Sequence, residues 1–340
     1  MALWQANTVA TCIAETGGPP CRIIVIKTSG DRLQDAPLSE IGGKSLFVKE
    51  IEDALLKDEI DIAVHSSKDM PALLPNGLAI GAVLPREDPR DAVVLPARAG
   101  VTLEGAGGRG LRTERGVTSV ESLDDLMRAL GQTPVIGTAS VRRIAQLMRL
   151  FRGARFGAIR GNLDTRLRKL DAGDPGSTYD ALVLAAAGLR RLGFASRISF
   201  ALPVEACVPA PGQGIVAIEI RADATEVGTV VARINDMRAS AALTAERAVV
   251  NGLGGGCQTP IGALASPVDG GDAGGAAAID LVATVVALDG SRVVRARARG
   301  PQTEAAAIGA RVAAQLQAEG AAEILADARI KANTLEHTQH

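Results

Sequence analysis

Ile60-Asp61-Ile62-Ala63-Val64-His65-Ser66-Ser67-Lys68-Asp69-Met70-Pro71 is the stretch that decides the fold. Ile60, Ile62, Ala63 and Val64 read as a short buried strand, and polar residues from His65 to Asp69 crowd its C-terminal end. Pro71 then blocks continuation of regular structure. In open α/β sheets, ligand chemistry gathers outside the carboxyl ends of strands. Lys68 and Asp69, side by side at such an end, need water or a ligand to satisfy them. An ordinary polar turn after a strand is the plainer reading of the same residues.

The flanks alternate in the manner of an α/β unit. Residues 2 to 14 predict a helix with Leu3, Ala6, Val9, Ala10 and Ile13 on one face. Gly17 to Pro20 break the chain, Cys21 to Ile26 predict a strand, and the loop Lys27 to Asp31 follows. Ser45 can cap a helix whose stripe is Leu46, Phe47, Ile51 and Leu55, with Ala54 beside them. Downstream, Leu78 to Leu84 is an apolar strand ending in Pro85-Arg86-Glu87-Asp88-Pro89-Arg90-Asp91. This alternation predicts a mostly parallel sheet.

Pro96 to Gly116, rich in Gly and Arg, reads as a surface insertion. Ser122 can cap a helix over Leu123 to Leu130, and Val135 to Ser140 opens a second α/β unit. Residues 139 to 169 hold eight Arg and one Lys against a single acid, Asp164. Arg142, Arg143, Arg160, Arg166 and Arg191 recur where strand ends and helix starts converge. Either anion binding or a solvated face accounts for them. Arg149, Arg152 and Arg168 suit the solvated face.

Pro203 to Pro211 forms a proline-punctuated crossover, followed by a strand at Ile215 to Ile220 and a helix at Ala224 to Ile234. A helix over Ser240 to Val250 then leads into Gly254-Gly255-Gly256-Cys257-Gln258. Strands at Ile261 to Ala265, Asp280 to Leu288 and Arg292 to Arg299 come next, the last two joined at Asp289-Gly290. A helix from Thr303 to Gly320 carries Ile308, Val312 and Leu316. Three antiparallel strands with helices on one face make a small α+β domain.

At 340 residues the chain is too long for one average core, and 47% apolar against 22% charged residues is globular composition. A net charge of -1 gives no global field for nucleic acid or membrane. With 1 Trp, 1 Tyr and 5 Phe, stacking platforms for nucleic acid are not available. Apolar runs such as Ala181 to Leu189 are too short to span a bilayer, and no secretory signal is visible. Cys12, Cys21, Cys207 and Cys257 lack C-x-x-C spacing, which fits a reducing cytoplasm. With only His65, His337 and His340, a multi-histidine metal site is not expected. Cys12, Cys21 and Cys207 suit burial as small hydrophobes. Cys257, after three glycines, instead predicts an uncrowded thiol available for attachment.

Several segments together resemble the hydroxymethylbilane synthase (porphobilinogen deaminase) family. They are Ala2-Leu3-Trp4-Gln5-Ala6, Gly42 to Glu50, Asp61 to Asp69, Arg86 to Asp91, Gly137 to Arg143 and Arg160 to Leu167. Ala187 to Gly193, Pro209 to Gly214 and Gly255 to Gly262 continue the series in order along almost the whole chain. The resemblance implies two α/β lobes like those of periplasmic binding proteins, plus a C-terminal α+β domain with a three-stranded antiparallel sheet. Residues 1-86 and 213-235 would form domain 1, 91-208 domain 2 with its insertion at 97-116, and 236-330 domain 3.

The resemblance also implies the chemistry. Four porphobilinogen molecules are joined head to tail with loss of ammonia on a dipyrromethane cofactor, thioether-linked at Cys257, and hydrolysis frees the linear product. Each pyrrole carries an acetate and a propionate, so Arg142, Arg143, Arg160, Arg166 and Arg191 match carboxylate-binding arginines, with Thr138 and Ser140 as supporting donors. Arg160 and Arg166 match substrate contacts. Lys68 matches a cofactor contact, and Asp69 matches the catalytic carboxylate that stabilises positive charge on the pyrrole. His65 is left with a structural role. No metal, nucleic acid or membrane partner is implied, and the enzyme would be a cytoplasmic monomer.

Family members place a strand and an Arg- and Ser-bearing turn before the Leu-Trp-Gln-Ala helix, whereas Met1 stands directly at it here. The expectation is that the chain as written folds poorly or is inactive and that an upstream-extended version is active. The alternative functions are a truncated inactive relic or a non-catalytic two-lobed anion-binding protein. The second gives no reason for a third domain carrying Gly-Gly-Cys.

Overall fold

Strand β1 (Ala63–Ser66) starts three residues later than the apolar run suggests, and it ends in a single 3-10 turn over Ser67–Asp69. In the computed structural model, which describes residues 1–26, 48–97, 120–172, 179–255, 259–268 and 277–337, this strand lies at the edge of a three-stranded sheet. Its neighbour is β8 (Val216–Arg221), which in turn pairs with β2 (Leu78–Val83). Both pairings are antiparallel, with Val64 opposite Ile218 and Ile80 opposite Glu219. The expectation of parallel strands is therefore corrected for this first lobe. The chain enters β8 from the second lobe, so it runs against strands reached through local helices.

Helix α1 (Ala2–Glu15) and helix α2 (Lys49–Leu56) cover this sheet. Val9 and Ile13 of α1 are buried with Ala82, Val216 and Ile218. Leu3, expected on the same face, is 58% exposed. Gln5 is buried instead, because its amide Nε2 donates to Ser66 Oγ at 2.8 Å. No strand forms at Cys21–Ile26, and Ile23, Ile24 and Val25 are exposed. An apolar run becomes a strand only when a neighbour completes its ladder, and among the described residues none does. Cys21 is likewise exposed, not buried as expected.

The second lobe follows the reading in its helices and in its parallel strands, but two antiparallel strands at Asp91–Val94 and Phe200–Ala201 were not expected. Its elements are β3 (Asp91–Val94), α3 (Leu123–Leu130), β4 (Val135–Gly137), α4 (Val141–Leu150), β5 (Arg155–Gly157), α5 (Leu163–Ala172), β6 (Ala181–Ala185), α6 (Ala186–Arg191) and β7 (Phe200–Ala201). The sheet order is β5-β4-β6-β3-β7. β4 is parallel to β5 and β6, while β3 runs antiparallel to β6 and β7. Ser122 caps α3 as predicted, in a capping box with Asp125. The expected insertion falls almost wholly outside the described residues.

Helix α7 (Thr225–Ala232) packs on the first lobe, and α8 (Met237–Gly252) leads away from it. One side of α8, at Ala239 and Leu243, is buried with Met70, Val83 and Ile215 of the first lobe. Ala242, Ala245 and Val249 join a separate core beneath β9 (Ile261–Val268), β10 (Ala278–Val286) and β11 (Val293–Pro301). These strands form the expected antiparallel sheet, in the order β11-β10-β9. Helix α9 (Ala305–Ala318) contributes Ile308, Val312 and Leu316, each fully buried and each adding about 2 kcal/mol of apolar transfer. A further helix, α10 (Ala321–His337), was not anticipated; Ala321, Ile324 and Leu325 seat it on the same core.

Candidate active site

The turn after β1 is pinned at both ends. Ser67 N–H donates to Ile215 O at 3.0 Å, and the Met70 side chain is buried in the first-lobe core. Between these anchors Lys68 and Asp69 are left half-buried. Gly212 presses on the turn from the crossover. Its φ is +72°, and a Cβ there would stand 2.6 Å from Ser67 Oγ, so only glycine fits without displacing the turn. Gly214, at φ +89°, meets the carbonyl oxygen of Glu87 in the same way. The Gly-Gln-Gly motif thus lets the two segments that cross between lobes touch the Ser67–Asp69 turn and each other.

Gln213, between these glycines, ties the crossing segments together. Its Nε2 donates to Pro89 O at 2.6 Å and to Asp91 Oδ1 at 3.0 Å. Asp91 is fully buried and also accepts from Arg142 Nη1 at 2.6 Å and from Arg143 Nε at 2.9 Å. Burial alone would raise its proton affinity, but the charges of Arg142 and Arg143 outweigh burial and hold the carboxyl far below the usual range. The Cys207 thiol lies 3.3 Å from Asp91, and burial, then the Asp91 charge, pushes its pKa up to about 12.

Arg142 and Arg143 are therefore engaged by the protein before any ligand arrives. Arg142 also donates to Val208 O, and its buried Nε has no partner among the described residues. Arg143 Nη1 donates to Val183 O at 2.9 Å. Arg166 sits on α5, with its Nε donating to Gly161 O at 2.8 Å, which closes the turn after Arg160. Burial and the charge of Arg143 lower the proton affinity of Arg166, and Asp69 opposes this. Arg143 of the second lobe and Asp69 of the first thus act in opposite senses on one guanidinium. Thr138 is buried and accepts from Ser140 N–H at 3.2 Å. Ser140 stands at the N-cap of α4 with its hydroxyl not capping the helix.

Arg191 Nη2 donates to Gly214 O at 2.7 Å, and its guanidinium carbon lies 5.4 Å from the centre of the Trp4 ring. His65 takes the structural role expected of it: its Nε2 is 3.0 Å from Glu219 Oε2 in the interior of the first lobe. Cys257 lies outside the described residues, as does most of the Gly42 to Glu50 segment.

A family model described as porphobilinogen deaminase, dipyromethane cofactor binding domain, matches residues 1–229. A second, the C-terminal domain of the same family, matches residues 240–318. The chain belongs to the porphobilinogen deaminase family. The porphobilinogen deaminase of Geobacter metallireducens is 41% identical over 328 residues, covering 96% of this chain and 91% of that protein. As a member of the family, the chain is a transferase of porphyrin biosynthesis that joins four porphobilinogen molecules on a dipyrromethane cofactor. Two solved structures of Bordetella pertussis BvgS are more distant, each at 16% identity. The VFT2 domain covers 68% of this chain and 76% of its own at TM-score 0.35. The whole periplasmic domain covers 55% and 30% at TM-score 0.28.

Sequence reasoning passed over Arg86, Asp91, Gln213 and Glu246, although Arg86 to Asp91 and Pro209 to Gly214 were both singled out as segments. An acid opening the apolar run Asp91-Ala92-Val93-Val94 was the available signal, because a charge on a buried strand must be paired. No helix among the described residues is long and apolar enough to cross a membrane.

Proposed function

We propose that Asp69 and the arginines facing it form the site at which porphobilinogen molecules are condensed. The observation that carries this reading is the family match over residues 1–229, which spans the Asp69 turn after β1 and the helices α4 and α5 that bear Arg143 and Arg166. The residues fit a dipyrromethane on the chemistry of their donors. Guanidinium groups pair bidentately with acetate and propionate, and the buried Arg142 Nε is a donor with no acceptor among the described residues. Lys68, Thr138, Ser140, Arg142, Arg143, Arg166 and Arg191 would hold it, with Cys257 as the thioether attachment. Bound, the cofactor supplies the covalently held end to which pyrroles are added.

The chain's own residues do the rest. Arg160 and Arg166 bind the substrate carboxylates and set the ring's orientation. The Asp69 carboxylate faces the pyrrole N–H and stabilises positive charge on the substrate as ammonia leaves. We divide the chain into domain 1 (1-86 and 213-235), domain 2 (91-208) and domain 3 (236-330), and read it as a cytoplasmic monomer.

Intact-mass measurement tests the attachment: an adduct of two pyrrole units is expected on the wild type and absent from Cys257→Ala. Asp69→Asn should keep the adduct and lose turnover by about 10²-fold or more. An unmodified, active wild type, or full turnover in Asp69→Asn, would overturn the reading.

A further inference from the structure

Trp4 is the chain's single tryptophan, and it is 37% exposed although large indole rings are mostly covered. It stands on α1, which is buried in the first-lobe core through Val9 and Ile13. Arg191 ends α6, which is buried in the second-lobe core through Leu189. At 5.4 Å from guanidinium carbon to ring centre, the contact lies within the range of cation–π attraction, and it bridges the lobes. The bridge is not a lone touch. A Cβ placed on Gly188 of α6 would stand 3.5 Å from Met1 Cε, so the start of α1 lies along α6.

Two further contacts fix the pair. Arg191 Nη2 donates to Gly214 O at 2.7 Å while its guanidinium carbon stands over the indole ring. Gln5, the next residue after Trp4, donates to Ser66 Oγ at 2.8 Å, directly before the turn that carries Asp69. Helix α1 therefore connects the catalytic turn to Arg191 through adjacent side chains. Burial also weakens the hold of Arg191 on its proton and the charge of Glu87 opposes this, so the group gains from a ligand anion.

We propose that Trp4 is a positioning residue: its indole face fixes the Arg191 guanidinium across the two lobes, in register with the Asp69 turn, for binding a pyrrole carboxylate. The proposal rests on the assignment of Arg191 to carboxylate binding. Orientation of the fork is what a bidentate carboxylate contact needs, and an aromatic face restrains it without using any of its N–H donors.

The test is a double-mutant cycle on the full chain, read as the rate at which the two-pyrrole adduct accumulates in intact-mass spectra after porphobilinogen is added to cofactor-free protein. Trp4→Leu should slow loading about 3- to 10-fold, and Trp4→Phe, which keeps a ring face, should recover most of the loss. Arg191→Gln should slow loading at least as much, and adding Trp4→Leu to it should change nothing further. The wild-type emission spectrum, coming from Trp4 alone, should shift in Arg191→Gln. Thermal unfolding of each variant separates misfolding from misplacement. Unchanged loading in Arg191→Gln would remove the assignment of Arg191 to the cofactor carboxylates. Slowed loading there, with Trp4→Leu either silent or multiplying independently, or an unshifted emission, would overturn the positioning role alone.

Discussion

Arg86 and Glu246 form a two-pronged ion pair around a fully buried carboxylate, with Nη1 2.5 Å from Oε1 and Nη2 3.2 Å from Oε2. The same carboxylate accepts from the backbone N–H of Gly212 at 2.6 Å and of Ala265 at 2.7 Å. One side chain on α8 thereby joins both crossing segments to strand β9.

Removing one partner of such a pair leaves a charge in the interior with nothing to balance it. Arg86→Ala is expected to cost about 3–5 kcal/mol, read as a lowered urea midpoint. A loss below about 1 kcal/mol would mean that water reaches Glu246.

Asp91 makes stability depend on acid in a defined direction. Its carboxyl is held below the ordinary range in the folded state by Arg142 and Arg143, against the opposing effect of burial. Its contribution is therefore complete above the unfolded value of about 3.9 and declines as pH falls from there towards the folded value. Urea unfolding should show a large gap between wild type and Asp91→Asn at pH 7 and a narrower one at pH 3. An equal gap at both would contradict the pairing.

Gly212→Ala combines an unfavourable φ of +72° with a Cβ against Ser67. Gly17→Ala has a similar φ, +74°, with nothing within 4 Å. Both should lose about 1 kcal/mol of stability from the backbone. Only Gly212→Ala should also lose about tenfold or more in kcat, because it alone moves the Asp69 turn. Equal kcat values would separate Gly212 from the catalytic geometry.

Cys207 and Cys21 should differ in reactivity. Cys207 is fully buried with its thiol pKa pushed up to about 12, whereas Cys21 is exposed. Iodoacetamide at pH 8 on the native protein should label Cys21 and leave Cys207 unmodified in peptide mass mapping. Comparable labelling of both would mean that the crossover opens readily.

Much of the fold was legible because periodicity and caps are local. Ser122 and Asp125 announce α3 within four residues, and Ile308, Val312 and Leu316 announce the buried stripe of α9. The strand expected at Cys21 to Ile26 shows the limit, because strand formation depends on a partner distant in sequence. Strand direction in the first lobe was hidden for the same reason: β8 arrives only after the whole second lobe. In the site, Asp69 and the arginines were readable as types at strand and helix ends. Their prior engagement was not, since Asp91 lies 51 residues from Arg142 and Gln213 lies 122 residues from Asp91.

The Asp91 cluster also restricts how the sequence can drift. A neutral residue at 91 strands two buried guanidinium groups, and an apolar residue at 142 leaves Arg143 to balance the carboxylate alone. A changed Gln213 removes one donor from the carbonyl of Pro89 and one of the three that reach Asp91 Oδ1 among the described residues. Each single replacement is penalised more than the group as a whole, so positions 91, 142, 143 and 213 should be inherited as a block. Substitutions there become tolerable only in company, while the exposed faces of α9 and α10 remain free to vary one residue at a time.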